Sequence, residues 1–168
     1  MGRYRPPAKP QAPYITPEGA KALRDELDRL WRVDRPAVTR AVSEAAAQGD
    51  RSENAEYIYG KKQLYAIDRR VRYLQKRLDV LKIVDSSLHD EERAYFGAWL
   101  RVDTGGGSVE IYRIVGPDEL SVNKQYISVE SPLARAVLGK ALGDEFVLER
   151  PAGPTTCVLL EVSYKPFD

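Results

Sequence analysis

The sequence predicts an α+β chain: an antiparallel α-helical coiled-coil hairpin over residues 14–84, then a small α+β domain over 85–168. Three observations predict it. Two apolar seams run at heptad spacing, a short polar stretch with a glycine separates them, and after Asp85 the heptads give way to short alternating runs. Residues 1–13 (MGRYRPPAKPQAP) are basic and proline-rich, and read as a flexible tail without the apolar centre of a signal peptide.

The first arm opens at Thr16-Pro17-Glu18, a threonine N-cap, a proline at the first helical position and an acid at the positive end of the helix dipole. Leu23, Leu27 and Leu30 follow at spacings of four and three, and the same register continues through Asp34, Ala37 and Ala41. Pro36 lies inside this pattern, where it must kink the helix or leave a carbonyl without its donor. The second arm carries Tyr57, Leu64, Ile67, Val71, Leu74, Leu78 and Leu81 in heptad register, with Gly60 in one slot. Gln48 to Asn54 joins the arms through a helix-ending glycine. Arms of about 30 residues at ~1.5 Å rise give a hairpin roughly 45 Å long.

In the second half, Ala98–Val102 and Val109–Val115 flank Asp103-Thr104-Gly105-Gly106-Gly107, a β-hairpin with a glycine-rich turn. No helix and no Lys-Ser/Thr follow the glycines, which argues against a phosphate loop. Further strands are expected at Tyr126–Val129, Glu145–Leu148 and Thr156–Tyr164. Ser131 to Gly139 reads as a short helix with a serine cap, Pro132 at its first position and a closing glycine.

Composition narrows the function. Cys157 is the only cysteine and His89 the only histidine, which excludes an intrachain disulfide and argues against structural zinc. No apolar run approaches the roughly 20 residues of a membrane span, so a cytoplasmic protein is expected. The net charge of +1 hides an asymmetry: residues 1–84 sum to +7 and residues 85–168 to −6. Such a division suits one nucleic-acid-facing end and a different partner at the other, although two solvated surfaces would look the same.

Two features carry possible chemistry. Asp50 and Glu53 stand at the apex of the hairpin. Asp-x-x-Glu is a capping box, with Asp50 as N-cap and Glu53 at N3; equally, two carboxylates are hard oxygen donors suited to magnesium, too few to hold it without another protein. The second arm is basic, with Lys61, Lys62, Arg69, Arg70, Arg72, Lys76, Arg77 and Lys82 opposed only by Asp68 and Asp79. Positions 62, 69 and 76 fall on one heptad stripe. It would track a phosphate backbone, or merely be a solvated coiled-coil flank.

Gly49-Asp50-Arg51-Ser52-Glu53-Asn54-Ala55-Glu56-Tyr57 resembles the tip motif of the GreA/GreB family of transcript-cleavage factors. Ile127 to Lys140 (ISVESPLARAVLGK), with Gly143-Asp144 after it, resembles the family's C-terminal signature. Arg51-Ser52 and Ile67-Asp68-Arg69-Arg70-Val71-Arg72-Tyr73-Leu74 are closer to the GreB pattern than to the GreA pattern. The resemblance runs from about Thr16 to the C-terminus, and the tail before it is longer than the family leads one to expect.

The resemblance implies an FKBP-like C-terminal domain that docks on the β′ rim helices of bacterial RNA polymerase through Glu130, Ser131 and Pro132. Glu130 departs mildly from the Asp or Asn expected there. It implies a coiled coil that enters the secondary channel, with Asp50 and Glu53 helping to hold the second magnesium ion of the polymerase active centre. Tyr57 matches the tip motif as well as the seam. The cationic stripe (Lys61, Lys62, Arg69, Arg70, Arg72, Lys76, Arg77) would face the extruded 3′ end of nascent RNA in a backtracked complex. The expected protein is monomeric, makes no membrane contact, binds no cofactor alone and is no enzyme by itself. It stimulates the polymerase's own cleavage of RNA so that elongation resumes. A channel-blocking inhibitor of the same family is the alternative, disfavoured because both tip acids are kept. A peptidyl-prolyl isomerase is suggested only by the fold, which does not imply activity.

Overall fold

The computed structural model describes residues 9–49, 53–87, 89 and 92–168, which form two compact units. One is the helical hairpin, Glu18 to Leu81; the other joins the N-terminal segment through Pro17 to residues 82–168. The fold class is the expected one, a helical hairpin and a mixed α+β sheet domain.

The first arm comprises α1 (Pro17–Arg29), a π-helical turn (Leu30–Asp34) and α2 (Arg35–Ala47). The second is one uninterrupted helix, α3 (Ala55–Val80), which at ~1.5 Å per residue runs about 39 Å. The seam of α3 follows the sequence: Gly60, Ile67, Val71 and Leu74 are buried, while Tyr57, Leu64, Leu78 and Leu81 are half-buried. Gly60 is required by contact, since a Cβ there would lie 2.8 Å from Val42 Cγ2.

The first arm departs from its expected register. Leu23 is buried and Leu27 and Leu30 are half-buried as expected, but Ala37 and Ala41 are exposed. Val38 and Ala45 are buried in their place, and Val42 is half-buried. The π turn is the cause. The Arg35 N–H bonds to Leu30 O, five residues back, so one extra residue enters the helix and the seam moves one position on. Pro36 accounts for the location of the turn: it has no N–H to give, and its ring would strike the carbonyl four residues before it in a regular helix. Two ion pairs bridge the arms beside the seam. Arg35 Nε meets Asp68 Oδ1 at 2.8 Å, and Arg70 grips Glu26 with Nε and Nη2 at 2.7 and 2.9 Å.

The sheet domain is built on five strands in the order β5-β4-β3-β7-β6. These are β3 (Trp99–Asp103), β4 (Val109–Val115), β5 (Tyr126–Ser128), β6 (Glu145–Arg150) and β7 (Gly153–Ser163). The hairpin β3/β4 pairs Asp103 with Val109 across the glycine turn, as the sequence indicated. Among the described residues of this sheet, only β4 and β5 pair in parallel. Helix α4 (Pro132–Val137) follows β5 and packs Leu133, Ala134 and Val137 onto Leu100, Ile114, Phe146 and Leu159 of the core.

The N-terminal segment belongs to this same unit. Strand β1 (Tyr14–Ile15) pairs in parallel with β2 (Lys82–Ile83), through Lys82 N to Pro13 O at 2.6 Å and Val84 N to Ile15 O at 2.9 Å. Beside it, a 3-10 turn (Pro117–Glu119) buries the Glu119 carboxylate, only 3% exposed. Glu119 accepts from Gly116 N at 2.9 Å, Thr16 N at 3.1 Å and the Thr16 hydroxyl. Gly116 has no room for a side chain, since a Cβ would stand 2.0 Å from Tyr14 O. Thr16 is 1% exposed, so these donors have no water to fall back on.

Glu119→Ala is expected to destabilise the protein by about 3 kcal/mol, because it strands up to three buried donors. Glu119→Gln should cost less, since the amide oxygen still accepts. Urea unfolding of the full chain measures both. Equal midpoints for wild type and Glu119→Ala would show that the tie contributes nothing.

Candidate functional site

The apex is built around Asn54. It is the N-cap of α3: its backbone is extended and its Oδ1 accepts from Tyr57 N at 3.1 Å. Its Nδ2 donates across the apex to Ala45 O at 2.7 Å, a carbonyl near the C-terminal end of α2 that also accepts from Gln48 N at 3.2 Å. This overturns the capping box expected of Asp50 and Glu53 for the second arm. That reading required the helix to start at Asp50, but it starts at Ala55. Glu53 stands one residue before the cap and is exposed. Asp50 lies outside the described residues, as do Arg51 and Ser52 of the tip motif. Among the described residues no group of three or more His, Cys, Asp or Glu is arranged to hold a metal ion.

The cations of α3 divide according to their place around the helix. Lys62, Arg69 and Lys76 recur every seventh residue on the side away from the seam. With Tyr65, Ala66 and Arg72, the first two line an open cleft of ≈ 410 Å³. Arg70 lies on the flank, held by Glu26, and stacks 5.3 Å above the Tyr73 ring. Arg77 falls seven residues beyond it on the same flank. Lys61 is half-buried on the opposite flank, 5.5 Å from the Tyr57 ring centroid and 5.8 Å from that of Tyr65. Asp68 is engaged by Arg35, so the one acid within this stretch of the helix is already paired. Sequence reasoning passed over Tyr65, whose signal is an aromatic residue at an outward heptad position among cations.

Glu130, Ser131 and Pro132 come together between β5 and α4, the first two half-buried and Pro132 exposed. Ser131 is the expected cap, its Oγ accepting from Ala134 N at 3.2 Å. Ser128 turns the chain ahead of it, its Oγ accepting from Glu130 N at 3.1 Å and its O from Ser131 N at 2.9 Å. Ser131 and Pro132 border an open, largely apolar cleft of ≈ 350 Å³ with Tyr112, Ile127, Leu148 and Pro151. Burial, with a hydrogen bond to Glu110, pushes the Tyr112 phenol up to about 12, so it stays a neutral donor at physiological pH.

Replacing Asn54 with Ala removes both the cap and the bond across the apex. A loss of about 1–2 kcal/mol is expected in thermal or urea unfolding, with Asn54→Asp keeping the cap but not the Ala45 bond. An unchanged midpoint in Asn54→Ala would show that this side chain does not order the apex.

Residues 13–83 match the family described as transcription elongation factor, N-terminal, and residues 89–164 match transcription elongation factor, GreA/GreB, C-term. The chain is 56% identical to transcription elongation factor GreB of Pseudomonas aeruginosa, over 99% of both chains. It is 57% identical to that of Yersinia pestis, over 92% of this chain and 91% of the relative. With the GreB of Xanthomonas axonopodis it shares 54% over 98% of each. Both of its units are thus covered by one family's pair of domains, and the chain belongs to the GreA/GreB family of transcription elongation factors.

Proposed function

We propose that this protein binds bacterial RNA polymerase through its secondary channel and stimulates the polymerase's intrinsic cleavage of nascent RNA in backtracked complexes. The observation that carries the reading is the apex. Asn54 caps α3, so Glu53 is left exposed and not engaged as that helix's cap, beside Asp50 in the chain. A helical hairpin that presents an exposed carboxylate, Glu53, at its turn is suited to lending a ligand to another protein's active centre.

In this reading Asp50 and Glu53 supply oxygen donors to a magnesium ion completed by the polymerase. A magnesium ion so held lowers the pKa of a bound water and neutralises charge on the attacked phosphodiester. Lys62, Arg69, Arg72 and Lys76 hold the extruded RNA by its phosphates, with Lys61, Arg70 and Arg77 adding positive potential from the flanks. Glu130, Ser131 and Pro132 dock on the β′ rim helices, with the apolar cleft beside Pro132 taking a side chain of the partner. Ser131 contributes by fixing the start of α4, and with it the Pro132 ring. The chain acts as a monomer and makes no membrane contact; none of its described helices is long and apolar enough to cross a bilayer.

Cleavage of end-labelled RNA in a stalled, backtracked polymerase complex tests the apex. Asp50→Asn and Glu53→Gln are each expected to slow cleavage about a hundredfold at saturation, equivalent to ~2.7 kcal/mol of transition-state stabilisation, with little change in half-saturating concentration. Cleavage at the wild-type rate by both variants would remove the apex from the chemistry. A wild-type protein that blocks nucleotide addition without cleaving would make it a channel inhibitor instead. Docking is tested by Pro132→Arg, which should raise the half-saturating concentration about tenfold while leaving the saturated rate intact. A lowered saturated rate with unchanged affinity would place Pro132 outside the docking surface.

A further inference from the structure

The cleft on the outer side of α3 holds more than charge. Lys62, Tyr65, Ala66, Arg69 and Arg72 occupy one side of the helix and border an open hollow of ≈ 410 Å³. Tyr65 is 60% exposed, so its ring contributes little to the seam that holds the hairpin together. Ala66 keeps the floor of the cleft low beside it. Among the described residues neither Lys62, Arg69 nor Arg72 has an acidic partner, and Asp68 is committed to Arg35 at 2.8 Å. Lys62 and Arg69 are seven residues apart, about 10 Å along the axis, and Tyr65 lies between them.

An exposed aromatic ring set between unpaired cations is the arrangement by which proteins hold single-stranded nucleic acid: cations take the phosphates and the ring takes a base. We propose that Tyr65 is a stacking platform for one unpaired RNA base, with Lys62, Arg69 and Arg72 receiving the phosphates on either side of it. The inference rests on the reading of this face as an RNA track and adds a contact to the base itself. Stacking does not depend on hydrogen-bond pattern, so the platform accepts any of the four bases. It gives the track a fixed register, because a ring holds one nucleotide at one place whereas phosphates alone permit sliding.

The test is binding of a fluorescent single-stranded oligoribonucleotide to the full-length protein at low salt, beside a chain of the same length lacking its bases. The wild type should bind the base-bearing chain about tenfold more tightly than the abasic one. Tyr65→Ala should abolish that difference while leaving affinity for the abasic chain and helicity by circular dichroism unchanged; Tyr65→Phe should retain it. Arg69→Gln tests the underlying track separately. It should weaken both chains alike and lower the slope of log affinity against log salt by about 0.7. Equal wild-type affinity for the two chains, or a Tyr65→Ala loss that is the same for both, overturns the stacking platform while the cationic track stands. No wild-type binding to either chain overturns both.

Discussion

A single buried carboxylate organises the part of the fold where the chain leaves for the hairpin and returns from it. Glu119 gathers the backbone N–H groups of Gly116 and Thr16 and the hydroxyl of Thr16 at a place where water does not reach. Charge-assisted hydrogen bonds of this kind exceed ordinary ones, and their loss strands donors away from water. The consequence spreads through neighbours. With Thr16 fixed, Ile15 is fully buried and β1 can pair with β2; with Gly116 bare of a side chain, the carbonyl of Tyr14 can approach it. The strand that leads into the hairpin segment, β1, is therefore tied at Thr16 to a side chain 103 residues away in sequence, and β2 is held in turn by pairing with β1.

The apex follows the same economy with a different residue. Asn54 does two structural tasks at once, capping α3 through its oxygen and closing onto Ala45 through its nitrogen. An amide is the side chain that can both accept and donate in this way, whereas a carboxylate can only accept. Assigning both tasks to Asn54 separates the residue that shapes the turn from Glu53, the acid beside it. The cations are divided in like manner: Arg70 is spent on Glu26, while Lys62, Arg69 and Arg72 surround open space.

What was legible in the sequence was local. The seam of α3, the β3/β4 hairpin with its glycine turn, and the Ser131-Pro132 helix start all depend on residues within a turn or two of one another, and each stands where spacing placed it. Glu119 gave no such signal, because its partner lies in a distant segment and a Gly-Pro-x-Glu stretch after a strand looks like an ordinary turn. The cap was misjudged for a subtler reason. Asp50 and Asn54 are both good N-caps, and the spacing of Asp50 to Glu53 completed a known box, but the bond to Ala45 that favours the later start crosses between helices. Tyr65 was passed over because an outward heptad position is normally read for charge alone.

The π turn before Pro36 sets the azimuth of everything between it and the apex. One residue of an α-helix corresponds to about 100° of rotation, so the extra residue at Leu30–Asp34 decides which side of α2 meets α3. A single-residue deletion there would straighten the winding and leave the composition of the arm almost untouched. Val38 and Ala45 would then keep facing the second arm, whereas the same residues wound as an unbroken α-helix would turn Ala37 and Ala41 toward it instead. Length and winding in this short stretch are therefore coupled, and two chains of this family can be matched residue for residue along the first arm only when both carry the turn or both lack it.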